Sequence, residues 1–159
     1  MQSPIGELVI AGEADVLRFV HFQTGKMAAK AEPDWEESDR GAVREAAQQL
    51  SAYFARKLEL FELPLGPQGT EFQRRVWREL EGIAYGETIS YGELARRVGN
   101  PAASRAVGLA NGRNPIPIII PCHRVIGSSG KLTGYGGGLP IKEHLLALEA
   151  RQGTLAARG

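Results

Sequence analysis

The chain has one cysteine in 159 residues, so it can form no internal disulfide and cannot build a cysteine-rich zinc site. It has only three histidines, His21, His123 and His144, scattered without metal-ligand spacing, and no metal is expected. It has no run of about 18 apolar residues, which leaves no candidate membrane-spanning helix and no membrane partner. The opening residues, M-Q-S-P-I-G-E, lack the basic and apolar stretches of a secretory signal. A lone free thiol suits a reducing cytosol, so a cytoplasmic location is expected. Net charge is small as well, at +1. What is present, 43% hydrophobic and 23% charged residues, is the composition of a globular chain. Its length allows one domain, or two small ones sharing an interface.

The charge is unevenly placed. Residues 1–62 hold 11 acidic and 7 basic side chains, whereas residues 63–159 hold 7 and 12. Between Glu93 and Glu143 there is no acid at all, while Arg96, Arg97, Arg105, Arg113, Arg124, Lys131 and Lys142 fall in that interval. A polyanion would favour this segment. The alternative is a solvated face whose acids lie elsewhere in the fold.

Local patterns suggest an α/β (α+β) organisation. Leu8 to Ile10 and Val16 to Phe22 read as short strands joined by the turn G-E-A-D. Residues 24–40 are polar and irregular, as in a surface loop. Val43, Ala46, Ala47, Leu50, Phe54 and Lys57 follow helical spacing and predict a helix from about 41 to 57. This first part, residues 1–62, holds no nucleophile, Gly-rich phosphate loop or metal set, and reads as a scaffold domain. L-P-L-G-P-Q-G, residues 63–69, is turn-rich and reads as a linker. A mostly helical C-terminal domain over 70–159 is expected to follow.

That second part opens with a capping box, Thr70 with Gln73, ahead of Phe72, Val76 and Leu80 on one helical face. A second box, Ser90 with Glu93, starts a short helix to about Val98. Gly99-Asn100-Pro101 forms a turn, with Asn100 as N-cap and Pro101 at the first position of a further helix ending at Gly112. Two short helices across a Gly-containing turn, over about 90–112, form a helix-turn-helix. Its second helix offers Ser104, Ala106 and Gly108 around a single Arg105. Major-groove readers place several Arg, Asn or Gln residues on base edges. Small residues instead permit close approach to a narrow groove, without sequence preference. Equally, small residues let helices pack tightly, and the pattern alone does not choose.

The chemistry converges on N-P-I-P-I-I-I-P-C-H-R-V, residues 114–125. Pro115, Pro117 and Pro121 stiffen the approach to Cys122, because proline fixes its own φ and restricts the residue before it. A rigid apolar stem ending in a thiol, an imidazole and a guanidinium suits a preorganised nucleophile. A buried cysteine closing a core strand would leave a similar trace.

I-P-C-H-R-V, preceded by R-A-V-G-x-A and N-P-I-P and followed by G-x-L-x-G-Y-G-G-G, resembles the bacterial type of O6-alkylguanine-DNA alkyltransferase (methylated-DNA–protein-cysteine methyltransferase). The resemblance runs from S-P-I-G at Ser3 to near Glu149. It implies a ribonuclease H-like N-terminal sheet plus helix and a bacterial or archaeal cytosolic protein. The implied reaction is stoichiometric transfer of an alkyl group from O6-alkylguanine in double-stranded DNA to Cys122, which inactivates the protein. O4-alkylthymine is a second lesion that the sequence does not rank against it.

The same resemblance implies roles for individual residues. His123 would draw the thiol proton through a water, oriented by Glu149. Asn114 would organise the segment between helix and nucleophile. Tyr91 would help rotate the nucleotide and donate a proton to the departing base. Arg105 would fill the vacated base stack from the minor groove, beside Ser104, Ala106 and Gly108. Val125 (through its carbonyl), Tyr135, Gly136 and Gly137 would line the alkylguanine pocket, with Gly136 where some relatives carry a serine. Arg124 would tie the parts of the chain together through backbone carbonyls. No cofactor is implied, and the protein is expected to be a monomer in solution; cooperative loading on DNA is not read from sequence.

Chemical reasoning supports parts of this independently. An alkyl carbon on guanine O6 is unactivated, so its attack needs a thiolate, and an ordinary thiol is mostly protonated at neutral pH. Glu149 lies four residues after Leu145 and eight after Ile141, on the apolar face of the last helix, read from about Pro140 to Arg151. A carboxylate there needs a partner, and His123 would supply one, unless Glu149 sits at a frayed edge and reaches solvent. Nothing in the sequence could release a thioether from cysteine. A non-catalytic lesion binder would lack Cys122. A cysteine hydrolase would not place Cys and His in direct succession behind a helix-turn-helix, and a sequence-reading regulator would carry more base-reading side chains.

Overall fold

The computed structural model describes residues 1–13, 15–23, 40–127, 130, 135 and 138–158, with residues 151–158 as helical backbone only. Of the polar stretch 24–40, expected as a loop, residues 24–39 lie outside the described residues and Arg40 precedes the next helix. Strands β1 (Gln2–Ser3), β2 (Gly6–Glu13) and β3 (Val16–Phe22) form an antiparallel sheet in chain order. Helix α1 (Gly41–Phe54) packs across β2 and β3. Its buried face is Ala42, Ala46, Leu50 and Tyr53; of the expected stripe, Ala46 and Leu50 are buried, Phe54 packs half-buried against the core, and Val43 and Ala47 are half-buried. The helix also ends earlier than expected. Arg56 turns into the left-handed region (φ 61°), so Lys57 lies beyond it.

The segment expected as a linker is bonded to the sheet. Leu17 N donates to Pro64 O at 2.9 Å, Gly66 N to Leu17 O at 2.9 Å, and Arg18 Nη1 to Gly66 O at 2.6 Å. Helix α2 (Glu71–Glu81) then starts with a complete capping box between Thr70 and Gln73. It buries Val76, Trp77 and Leu80, and Phe72 lies partly buried against the same core.

Helices α3 (Tyr91–Val98) and α4 (Ser104–Gly112) pack on α2 and on each other, giving the helix-turn-helix. Its caps differ from expectation. Ser90 Oγ accepts from Glu93 N at 3.0 Å, but the Glu93 carboxylate turns to Arg96 and Arg97 instead of closing the box. Asn100 does not cap α4. Gly99 (φ 92°) ends α3 in a Schellman motif, in which Gly99 N donates to Arg96 O and Asn100 N to Ala95 O. Asn100 O then accepts from Ala103 N, so Pro101 sits in this turn and α4 begins only at Ser104.

After α4 the chain turns through the proline-isoleucine stretch to a 3₁₀ turn at Cys122–Arg124 and strand β5 (Val125–Ile126). Strand β5 pairs in parallel with β4 (Ile89–Ser90), which immediately precedes α3. Helix α5 (Leu139–Arg158) closes the fold, extending past the expected end near Arg151 and burying Ile141, Leu145 and Leu148. One continuous apolar core joins the sheet, α1 and all the later helices. No described helix is long and apolar enough to cross a membrane.

Candidate active site and nucleic-acid interface

The stem before Cys122 is a series of tight turns, all buried from Ile116 to Val125. Asn114 shapes its start: Oδ1 accepts from Ile116 N at 2.9 Å and Nδ2 donates to Ile120 O at 2.7 Å. Between these bonds Ile118 is held at φ 74°, a left-handed conformation that a β-branched residue adopts only under strain. Pro121 (φ −81°, ψ 67°) is the centre of an inverse γ-turn closed by Cys122 N donating to Ile120 O at 2.8 Å. Asn111, on α4, reaches Cys122 O through Nδ2 at 3.4 Å. The nucleophile's backbone is thus set by two asparagines and a proline. The sheet contributes as well, with Val20 N donating to Pro115 O at 3.0 Å.

Behind Cys122 lies a closed polar network. His123 Nε2 and Glu149 Oε2 are 2.7 Å apart, at 0% and 1% side-chain exposure. Arg124 grips the same carboxylate in a fork, Nε to Oε1 at 2.7 Å and Nη2 to Oε2 at 3.1 Å. Its Nη1 donates to Ile83 O at 2.6 Å, and its guanidinium lies 5.6 Å from the centre of the Tyr85 ring. Arg124 therefore ties the chain together chiefly through Glu149, with one carbonyl bond rather than several. A buried guanidinium needs a countercharge more than it needs dipoles. Tyr53 of α1 donates to Glu149 Oε2 at 2.6 Å.

Burial pushes the Cys122 thiol up from its ordinary value, against opposing effects from Asn114, Tyr135 and Lys142, which face it. Burial likewise pushes the His123 imidazole down, against the raising effect of Glu149, so the ring is held neutral. For Glu149, burial works upward, but hydrogen bonds and charge from His123 and Arg124 bring the carboxyl down to about 2. His123 Nδ1 is buried and has no hydrogen-bond partner among the described residues, nor has the hydroxyl of Tyr135. A neutral base with an unused ring nitrogen thus follows a protonated thiol directly in one 3₁₀ turn. Such a site can take a proton from sulfur when a water or a substrate completes the path.

Lys142, expected with Arg124 among the basic residues that a polyanion would favour, is turned into the core as Arg124 is, because each finds its partner there. It is fully buried on α5, and its ammonium donates to Val125 O at 2.8 Å. It was legible by the same spacing that marked Glu149, being three residues before Leu145 and seven before Glu149. Asn111 and Tyr53 were missed. Their helical faces could be read, but not what those faces meet.

The second group of expected residues gathers on the helix-turn-helix. Ser104, Arg105 and Ala106 are exposed along the first turn of α4. Gly108 lies against Tyr91, such that a Cβ there would sit 3.7 Å from the Tyr91 ring. Pairing of β4 with β5 is what brings Tyr91 towards the nucleophile, since Ser90 lies opposite Ile126 and Ile89 opposite Val125. Tyr135 packs 5.7 Å from the Phe22 ring. Gly136 and Gly137 lie outside the described residues.

Residues 1–67 match the family model for the 6-O-methylguanine DNA methyltransferase ribonuclease-like domain, and residues 71–151 match that for its DNA binding domain. A methylated-DNA–protein-cysteine methyltransferase of Methanosarcina acetivorans is 56% identical over 93% of this chain and 94% of its own. One from Mycolicibacterium paratuberculosis is 55% identical over 95% of this chain and 90% of its own. Among solved structures, Mycobacterium tuberculosis OGT in complex with DNA superposes with a TM-score of 0.87 at 52% identity, covering 95% of this chain and 91% of that one.

Proposed function

The chain belongs to the 6-O-methylguanine DNA methyltransferase family, and from that premise we propose how its residues divide the reaction. The protein repairs DNA by direct transfer of the alkyl group from alkylated guanine to a cysteine of its own, once per molecule. With one cysteine in the chain, the acceptor is Cys122.

The observation that carries the mechanism is the buried His123–Glu149 pair beside that cysteine, with His123 Nδ1 left unused. A water between Nδ1 and the thiol takes the sulfur proton to the imidazole. Glu149, ionised at neutral pH, stabilises the imidazolium that forms. Lys142 adds a buried positive charge close enough to favour the thiolate. The thiolate attacks the alkyl carbon, a C–S bond forms, the C–O6 bond breaks, and the electron pair stays on guanine. Tyr91 gives that guanine a proton and, left a phenolate, takes one back from water, while His123 releases to water the proton it took from sulfur. The product is a thioether, and no second nucleophile faces it among the described groups.

A thiol this deep requires the guanine to leave its duplex. The exposed first turn of α4 enters the minor groove without sequence preference, and Arg105 fills the gap left in the stack. The Val125 carbonyl and Tyr135 receive the flipped base with Gly136 and Gly137. Residues 63–69 separate a scaffold domain from the reacting domain. The protein acts as a cytoplasmic monomer.

Intact mass after mixing with a duplex containing O6-methylguanine tests this reading. One added methyl, mapped to Cys122 and stopping at one equivalent, is the expected result, with none on Cys122→Ser. Tight lesion binding without a mass change would instead make the protein a sensor.

A further inference from the structure

The N-terminal part carries no nucleophile, yet it places a phenol on the carboxylate that serves His123. We propose that Tyr53 is a positioning residue for alkyl transfer, acting from α1 through Glu149 on the basicity and orientation of the His123 imidazole. The proposal rests on the reading of Cys122 as acceptor and His123 as its base.

The geometry is specific. Tyr53 is fully buried, and its hydroxyl donates to Glu149 Oε2 at 2.6 Å. That oxygen is the one facing His123 Nε2, at 2.7 Å. Arg124 Nε takes the other oxygen, Oε1, while its Nη2 also reaches Oε2, more distantly at 3.1 Å. Tyr53 and the imidazole therefore share one acceptor. A phenol donating to that oxygen draws negative charge away from the ring and fixes the rotation of the carboxylate. Phe54, Phe61 and Tyr85 hold the Tyr53 ring in turn, with ring centres 5.3, 5.4 and 6.3 Å away. The phenol cannot act as an acid itself, because burial and the Glu149 charge raise its pKa far above the ordinary value.

Other groups act on His123 as well. Glu149 and Lys142 face it from α5, Arg124 from its own turn, and Tyr85 and Tyr135 bear on the same network through Glu149. Among them, the imidazole is the one whose ordinary value, 6.5, falls within pH 5–8. Loss of the Tyr53 hydroxyl leaves all these groups in place and returns charge to Glu149 Oε2. More negative potential at the ring favours the imidazolium, so its pKa rises.

The test is the single-turnover rate of methyl transfer from an O6-methylguanine duplex at saturating DNA, over pH 5–9, for the full chain and Tyr53→Phe. Tyr53→Phe is expected to move the acidic limb of the profile up by roughly half a pH unit and lower the plateau about 3- to 10-fold. In a Glu149→Gln background the same substitution is expected to change neither, because its path of action is gone. A profile superimposable on the unsubstituted protein, even with a lowered Tm, would overturn the proposal and leave Tyr53 as packing. Should Tyr53→Phe not fold, 3-fluorotyrosine at position 53 keeps the bond with a stronger donor. It is expected to move the limb down, and an unmoved limb overturns the proposal. If the unsubstituted protein gains no methyl, it is the assignment of Cys122 that fails instead.

Discussion

The sheet-and-helix part before residue 62 and the helical part after residue 70 spend their buried positions differently. In the first, the buried residues among those described are Leu8, Leu17, Val20, Phe22, Ala42, Ala46, Leu50 and Tyr53, apolar but for one phenol. In the second, Asn111, His123, Arg124, Lys142 and Glu149 are buried among the isoleucines and leucines. Burying charge is costly, and a buried ion pair rarely stabilises a fold more than apolar residues of the same volume would. The second part therefore gives up stability for a dry, preorganised site. The first part is built the conventional way and lends its stability through one shared core. It also lends three contacts to the site: Val20 N on the nucleophile stem, Phe22 against Tyr135, and Tyr53 on Glu149.

Glu149→Gln should break this comparison most severely. It leaves Arg124 buried beside a neutral amide, at a cost of roughly 3–5 kcal/mol, and removes the charge that supports His123. Methyl transfer is expected to fall about 100-fold or more, read as a single-turnover rate. The same variant tests acid stability. Glu149 titrates at about 2 folded against 4.5 unfolded, so its contribution is present above pH 4.5 and lost as pH falls towards 2. His123, held below 6.5, adds a loss that begins as pH falls through that value. Denaturant midpoints against pH should slope downward over 4.5 to 2 in the unsubstituted protein and flatten there in Glu149→Gln.

Leu50→Ala sharpens the contrast from the other side. It empties a fully buried position in α1, away from the reacting atoms, and should cost roughly 2–5 kcal/mol by chemical denaturation. Below its melting transition it should still transfer one methyl, at a rate within about threefold. A rate loss as large as that of Glu149→Gln would show that the two parts are not separable in this way. The smallest effect belongs to the exposed face. Arg105→Ala should weaken duplex binding about tenfold, roughly 1.4 kcal/mol, while leaving fold stability unchanged. Its reaction with the free O6-alkylguanine base should be unaltered, which separates DNA handling from chemistry.

Much of the site was legible in the chain. Cys122 and His123 stand in a proline-bracketed run, and Glu149 lies on the periodic apolar face of α5, buried as that spacing implied. Caps were less legible. Asn100 and Pro101 have the composition of a helix start, but the left-handed Gly99 closes α3 with Asn100's backbone, and α4 begins three residues later than expected. Local preferences compete, and the Schellman closure of one helix took precedence over the opening of the next. The stripe on α1 held at Ala46 and Leu50, but its edges moved to Ala42 and Tyr53 for a related reason. Small apolar residues on adjacent positions make two faces nearly equivalent, and packing on the sheet chose the one that carries Tyr53.

By itself the sequence determined the single cysteine and its histidine neighbour, the two long strands and the order of the helices. These depend on residue type and short-range spacing, which the chain carries locally. Only the tertiary structure decided that Arg124 and Tyr53 meet on Glu149, that Lys142 points at Val125, and that the sheet holds the nucleophile stem. Such meetings join residues up to 96 positions apart. No periodicity encodes them, because each helix reports only which of its faces is buried and not what that face is buried against.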